Sequence, residues 1–504
     1  MNIASMVEYF AGFHPQYKAI ICGDDGREFT WEEFNTLTNR CAHALVDLGV
    51  KKGDRVAVYL PNSPEFLITF FAVAKIGAVI TPFNILFKSG EISYILNNSR
   101  AEILVGASKE VQANLLNSGE DTPFLEKVLT CGEPVDGAQD FDALIAKYPD
   151  TFHMAQTGAD DHLALLYTSG TTGQPKGTKL THGNWMANAA LNGNDVLHVN
   201  DQDLFLTGTP FCHIFFVLST LGPFYKGAGV VTMRRFKPDT ILELISRYRV
   251  THFAGVPTMY LYMLSNYSPE KFDVSAWRFA QSAGASLPEE YVSKIEDTFG
   301  VSFCECYGST ETSSTVTYGR LGHGKSGSIG PVARDYSIVI ADELGNPLPA
   351  GEVGELLVKG PGIFHGYWEK PEATSESFMD GYFKTGDMAR CDEDGYYYIV
   401  DRKKDVILCG GYNVYPREIE EFLYQNPKVM EVAVIGVPHE SRGEVVKAFI
   451  SLREGETMSE EEVIAFCQER MAKYKVPQYV EFRDELPKNA TGKLMKRELK
   501  QESL

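Results

Sequence analysis

The 504-residue chain is 44% hydrophobic, 12% aromatic and 23% charged, a balance that fits a globular protein with room for about three domain-sized units. Its 47 basic and 67 acidic residues leave a net charge of −20, which disfavours nucleic-acid binding and docking on an anionic membrane. An anionic small molecule stays admissible, because it responds to local groups rather than the global sum. The start of the chain lacks the basic and apolar regions of a signal peptide. The apolar stretches 66–87 and 215–233 are broken by Lys75, Pro82, Pro223 and Lys226, so neither offers the ~20 clean residues of a spanning helix. Nine scattered cysteines, with only Cys304 and Cys306 close together, read as reduced thiols in a cytoplasmic protein.

Short β-rich runs alternate with amphipathic stretches through the first ~330 residues. Residues 55–60 read as a buried strand, 64–75 as a helix with Glu65 and Lys75 near its ends, and 78–80 as the next strand. Strand, helix, strand at this spacing is the mark of parallel α/β architecture. The pattern recurs at 204–206, 229–232 and 251–254. From about 327 to 400 the texture changes to short strands (337–340, 354–358, 396–400) separated by Gly, Pro and Asp turns, as in a small antiparallel sheet or barrel. The dense cluster Asp401-Arg402-Lys403-Lys404-Asp405 is the best boundary, dividing the chain into 1–403 and 404–504. Beyond it a compact α/β unit is expected, with helices at 416–424 and 459–473, the latter capped by Ser459, and strands at 429–437 and 445–452. The fold expected is α/β: two parallel-type subdomains and a small barrel, then a small C-terminal α/β domain.

The strand at 163–167 runs into Thr168-Ser169-Gly170-Thr171-Thr172-Gly173-Gln174-Pro175-Lys176-Gly177. Gly, Ser and Thr runs are commonly plain loops. Here a buried strand precedes the run and a lysine closes it, so free backbone N–H groups, hydroxyls and one cation stand ready to ring a phosphate. The spacing differs from the P-loop of nucleotide-binding proteins, which wants Gly-Lys-Ser/Thr where Pro175 stands.

This run resembles the phosphate-binding signature of the adenylate-forming superfamily, which includes acyl- and aryl-CoA synthetases, adenylation domains and luciferases. The resemblance spans essentially the whole chain, because further signatures follow in the family's order. They are Ser282-Ala283-Gly284-Ala285, Tyr307-Gly308-Ser309-Thr310-Glu311, Tyr382-Phe383-Lys384-Thr385-Gly386-Asp387, the 401–405 cluster with Gly410-Gly411, and Pro487-Lys488-Asn489-Ala490-Thr491-Gly492-Lys493.

The resemblance implies a two-step reaction. A carboxylate attacks the α-phosphate of ATP, giving an acyl-adenylate and pyrophosphate; a thiol then displaces AMP. It assigns Mg²⁺ to Glu311, helped by Thr168, since a bare carboxylate beside a triphosphate would repel it. It puts adenine on Tyr307, with Gly284 and Ala285 allowing close backbone approach and Gly308 and Thr310 beside the nucleotide. Asp387 would accept from the ribose hydroxyls, with Arg402 as a second ribose or phosphate contact. Lys176 would hold the leaving pyrophosphate. Lys493 would bridge the substrate carboxylate and the α-phosphate, set in a locally basic tail whose Lys496, Arg497 and Lys500 read as a solvated helix end. Relatives clear the lysine by rotating the C-terminal domain about one linker residue, here Lys404, which brings Gly410-Gly411 to line the pantetheine path.

For the acid, Pro210-Phe211-Cys212-His213 is similar to the family's segment at the acyl pocket, with His213 near the carboxylate and Gly284 lining the same pocket. No Asp stands there to hold a substrate ammonium, and Cys306 is neutral where malonate-activating relatives resemble one another in carrying Arg. An apolar monocarboxylic acid is therefore expected: medium or long fatty, aromatic or alicyclic. The acceptor expected is CoA, with loading of a carrier protein as the alternative. The resemblance leaves a homodimer open.

Overall fold

A computed structural model describes residues 1–168, 174–284, 287, 289–320, 324–325, 327–488 and 494–503. These fall into two compact units. The first comprises Met1–Ser326, Gly330–Ser337 and Val358–Phe378; the second, Gly327–Ile329, Ile338–Leu357 and Met379–Leu504.

The first unit holds two sheets. One has eight strands in the order Ser314–Tyr318, Ser302–Ser309, Phe279–Ala283, His252–Gly255, Leu204–Thr207, Gly229–Thr232, Lys18–Cys22, Glu28–Thr30. Its six inner strands are mutually parallel, and only the two edge strands run against their neighbours. The other has seven strands in the order Gln139–Asp140, Lys127–Cys131, Ile103–Ala107, Arg55–Tyr59, Val79–Pro82, His162–Thr168, Lys176–Thr181. It is parallel except for the last pair. The two parallel-type subdomains expected from the alternating pattern are therefore present.

The apolar stretch near residue 66 owes its character to burial on every side. The helix Pro64–Ile76 starts on Ser63, whose hydroxyl accepts from Phe66 N–H, has proline in its first turn, and stops at Gly77 in the left-handed region. All its residues are buried, as expected of a helix apolar on all faces. Among the described residues no helix is long and apolar enough to cross a membrane. Lys75, placed by the sequence near a helix end, is wholly enclosed. Its ammonium donates to the side-chain oxygens of Asn35 and Asn39, and Glu8 stands 3.8 Å away.

In the second unit, five strands (Ser337–Ala341, Gly354–Lys359, Phe378–Met379, Tyr382–Cys391 and Tyr397–Arg402) form a sheet curled into half a barrel. A further sheet orders Tyr412–Val414, Ile407–Cys409, Gly443–Leu452 and Val429–His439, with Tyr479–Phe482 also paired to Gly443–Leu452. Ser459 caps its helix through the Glu462 N–H, as expected, but the helix spans only Glu460–Gln468. The chain turns early because Met471, Tyr474 and Val476 fold back onto the apolar core of this unit.

Burial pulls the Lys75 ammonium down from its usual 10.5 to about 8. Between those pH values the unfolded chain binds more protons than the folded one, so stability should rise with pH. The penalty is full below about pH 8 and disappears as pH passes 10.5. Lys75→Met should flatten the wild-type rise in unfolding free energy between pH 8 and 10; denaturant titrations at a series of pH values check this.

Candidate active site

Six parallel strands leave the larger sheet at the same edge, and the sequence signatures follow their ends. Past Leu204–Thr207 comes the segment ending at His213, whose ring is exposed and accepts from Phe215 N–H at Nδ1 (3.3 Å). The Asn62 side chain staples this segment in place: its oxygen accepts from Phe211 N–H at 2.7 Å and its amide donates to the Thr209 carbonyl at 2.8 Å. Phe211 packs on Phe66 and Phe216, and Phe216 on Phe70 and Trp185, so an aromatic cluster lies beside His213. Gly284 follows Phe279–Ala283 and is exposed; Tyr307 and Gly308 lie in the Ser302–Ser309 strand, Tyr307 half-buried. Such an edge, outside the carboxyl ends of parallel strands, is where open α/β sheets bind ligands.

Thr310 and Glu311 sit in the tight turn between Ser302–Ser309 and Ser314–Tyr318. The Thr312 hydroxyl organises this turn: it accepts from Ser309 N–H at 2.8 Å and lies within bonding distance of the Ser309 and Ser314 carbonyls. Ser313 and Ser314 have φ of 57° and 103°, unusual for residues with side chains. The strands approach so closely that a Cβ at Gly308 would lie 1.5 Å from the Ser314 carbonyl oxygen. Glycine is obligatory there.

The phosphate signature spans an antiparallel pair. His162–Thr168 and Lys176–Thr181 pair up to Thr168 opposite Lys176. Side chains from the helix Ser89–Ser99 brace both arms: the Tyr94 hydroxyl donates to the Pro175 carbonyl at 2.9 Å, and the Tyr167 hydroxyl to the Asn98 side chain at 2.7 Å. A segment from Phe364 to Trp368 then lies along Lys176–Thr181. His365 N–H donates to the Lys179 carbonyl, Lys179 N–H to the Gly366 carbonyl and Trp368 N–H to the Gly177 carbonyl, while the Trp368 indole donates to the Asn98 carbonyl. The same segment reaches Glu311: Phe364 N–H donates to the Glu311 carbonyl at 2.8 Å, and the Tyr367 hydroxyl donates to Glu311 Oε1 at 3.0 Å. The Lys176 ammonium stands 5.0 Å from the centre of the Tyr367 ring. Burial and the Glu311 carboxylate hold the Tyr367 phenol protonated, far above its usual range.

In the second unit, Asp387 and Arg402 face each other across one antiparallel rung. Their ion pair, Nε to Oδ1, measures 2.7 Å, with Asp387 buried and Arg402 half exposed. Lys404 lies in the 3₁₀ turn Lys403–Asp405, beside Lys403, which pairs with Glu355 at 2.9 Å. Gly410 and Gly411 are the two loop residues of a hairpin in which Cys409 opposes Tyr412; both have positive φ, which a two-residue turn of this kind demands. The turn alone therefore accounts for both glycines.

The basic tail differs from its sequence reading. Lys496 is drawn inward to Glu420 at 2.7 Å rather than solvated, Lys488 pairs with Glu431 at 2.6 Å, and Lys500 with Glu444 at 3.1 Å. Although burial lowers the Lys496 ammonium, the Glu420 and Asp401 carboxylates raise it overall, so it stays charged. An apolar stem with a charged tip can serve a surface or an interior pair equally, and the sequence pattern did not distinguish the two. Lys488 and Leu494 form a bridge, and Met495 N–H donates to the Pro487 carbonyl.

Ser169, Gly170, Thr171, Thr172, Gly173, Ala285 and Lys493 lie outside the described residues. The structure brings Thr168, Lys176 and Glu311 into one bonded framework and pairs Asp387 with Arg402. Sequence reasoning missed Asn62, Tyr94, Asn98, Tyr367 and Trp368. The dense Gly and aromatic run 360–368 was the available signal for the last two. No group of three or more His, Cys, Asp or Glu side chains able to hold a metal occurs among the described residues. Glu311 is a single carboxylate, with one oxygen accepting from the Tyr367 hydroxyl. That donor set fits Mg²⁺, which keeps most of its water and takes one carboxylate plus substrate phosphates.

The AMP-binding enzyme family model matches residues 7–368, and that of the AMP-binding enzyme C-terminal domain matches 418–493. The chain is 35% identical over 510 residues to the long-chain-fatty-acid–CoA ligase of Bacillus subtilis (strain 168), covering 95% of this chain and 90% of that one. It is 34% identical over 512 residues to the crotonobetaine/carnitine–CoA ligase of Salmonella typhimurium (strain LT2), covering 99% of each. Among solved structures, the anthranilate CoA ligase AuaEII in complex with anthranoyl-AMP superposes with a TM-score of 0.93 at 31% identity, covering 100% of this chain and 97% of that one.

Gly308→Ala should force the 308–314 turn apart and lower stability by about 1–3 kcal/mol. Thermal unfolding of the variant beside the wild type measures it.

Proposed function

Since the chain belongs to the AMP-binding enzyme family and is an AMP-forming carboxylic acid–CoA ligase, we propose that its acid is an apolar monocarboxylate, fatty of medium or long chain, aromatic or alicyclic. The observation that carries this reading is the aromatic cluster of Phe66, Phe70, Phe211, Phe216 and Trp185 beside His213. This buried cluster gives the segment an apolar setting with no carboxylate in it, which suits an apolar acyl group and not a substrate ammonium. Cys306 supports the same conclusion, being a buried neutral thiol that receives the Gln281 amide at 2.6 Å.

In the first step an oxygen of the substrate carboxylate attacks the α-phosphorus of ATP and the bond to pyrophosphate breaks. Catalysis of this kind depends on position and charge. Residues 168–173 ring the phosphates, with Lys176 taking the charge that grows on pyrophosphate. Glu311, with Thr168, would hold Mg²⁺, which neutralises phosphate charge when bound. Tyr307 and Gly308 flank the adenine with Gly284 and Ala285, Thr310 contacts the nucleotide, and Asp387 and Arg402 hold the ribose. Lys493 contacts the carboxylate and the α-phosphate together. Residues 404–504 then turn about Lys404 and withdraw Lys493, and the Gly410-Gly411 hairpin lines the path of CoA. In the second step the thiol sulfur attacks the acyl carbonyl, loses its proton, and AMP departs.

Lys493→Ala should cut acyl-adenylate formation, read as ATP–pyrophosphate exchange, by roughly 10²–10³-fold, the scale of one lost charge-stabilising contact. Thioester formation from supplied acyl-adenylate should stay near wild type; equal loss of both half-reactions would sink the alternation. A panel of carboxylic acids with ATP, Mg²⁺ and CoA, followed for AMP and thioester, tests the substrate class. Apolar monocarboxylates should release AMP and form thioester, whereas turnover confined to dicarboxylates or amino acids would overturn it.

A further inference from the structure

We propose that Tyr367 is a positioning residue of the adenylation step, holding the Glu311 carboxylate through its hydroxyl and the Lys176 ammonium on its ring face. The proposal rests on the functional reading above for the roles of those two partners. Three observations carry it. The hydroxyl donates to Glu311 Oε1 at 3.0 Å, which fixes that oxygen and leaves the other for a cation. The Lys176 ammonium lies 5.0 Å from the ring centre, within the range at which a ring face attracts a cation. The tyrosine is itself fixed: its N–H donates to the Thr374 hydroxyl at 2.9 Å, its ring packs on Phe364 at 4.9 Å, and Trp368 is bound on both its backbone and indole N–H groups.

A carboxylate on a turn and a lysine on a strand would each sample several rotamers alone. One rigid side chain between them removes part of that freedom before nucleotide arrives, the preorganisation that electrostatic catalysis needs. Glu311 and Lys176 have opposite charges, and each meets a different part of this side chain, its hydroxyl and its ring face.

The two contacts can be separated. Tyr367→Phe keeps the ring and loses the hydroxyl; Tyr367→Leu loses both. In the full chain, electron paramagnetic resonance would follow Mn²⁺ binding in the presence of a non-hydrolysable ATP analogue, and ATP–pyrophosphate exchange would give the KM for pyrophosphate. Tyr367→Phe should weaken Mn²⁺ binding roughly tenfold, the scale of a lost hydrogen bond to a charged group, with the pyrophosphate KM nearly unchanged. Tyr367→Leu should also raise that KM severalfold. On a Glu311→Gln background, Tyr367→Phe should add nothing further, because its effect runs through Glu311. Unchanged Mn²⁺ binding in Tyr367→Phe, or an effect fully additive with Glu311→Gln, overturns the proposal while the functional reading stands. A wild type that exchanges no pyrophosphate with any acid brings down the functional reading, and this proposal with it.

Discussion

The common direction of the inner strands is the constraint from which the first unit's chemistry follows. Parallel strands discharge the chain at one edge, so the segments that end at His213, Gly284 and Glu311 all follow strand ends on that edge although they are far apart in sequence. Irregular backbone concentrates at that edge. The left-handed Ser313 and the stapling amide of Asn62 lie past strand ends, where no ladder partner fixes the conformation. Side-chain hydrogen bonds take over that task.

Charge is handled differently in the two units. In the second, Lys488, Lys496 and Lys500 are each matched by a glutamate, which cancels their charge locally. In the first, the Lys176 ammonium rests on an aromatic face, an arrangement that attracts the charge without neutralising it. The −20 of the whole chain therefore says little about how an anion would be received locally.

The architecture was legible because hydrophobic periodicity and glycine punctuation are local signals. The strands at 55–60, 229–232 and 354–358 lie within a residue or so of their observed ends. Signature residues were legible as ordered motifs, and the structure pairs Asp387 with Arg402 and braces Thr168, Lys176 and Glu311 in one framework. What escaped was relational. Asn62, Asn98 and Tyr367 act through partners far away in sequence, and nothing in their own neighbourhoods names those partners. Lys496 was misjudged for a related reason, and the enclosure of Lys75, correctly placed near a helix end, went unread: a lysine's sequence context gives its helix position, not whether asparagines or a glutamate await it inside.

The Trp368 indole closes on the Asn98 carbonyl across 270 residues of chain, and the same short segment fixes both Glu311 and the Lys176–Thr181 strand. During synthesis the hairpin of the phosphate signature leaves the ribosome long before this segment exists. At about 5–20 residues per second, its nearer arm waits many seconds with its backbone edge uncovered. Such long-range closure slows folding and leaves an unpaired strand edge open to mispairing in the interval. The edge of this sheet is thus a late product of the protein's own translation, sealed only after most of the scaffold beneath it has been made.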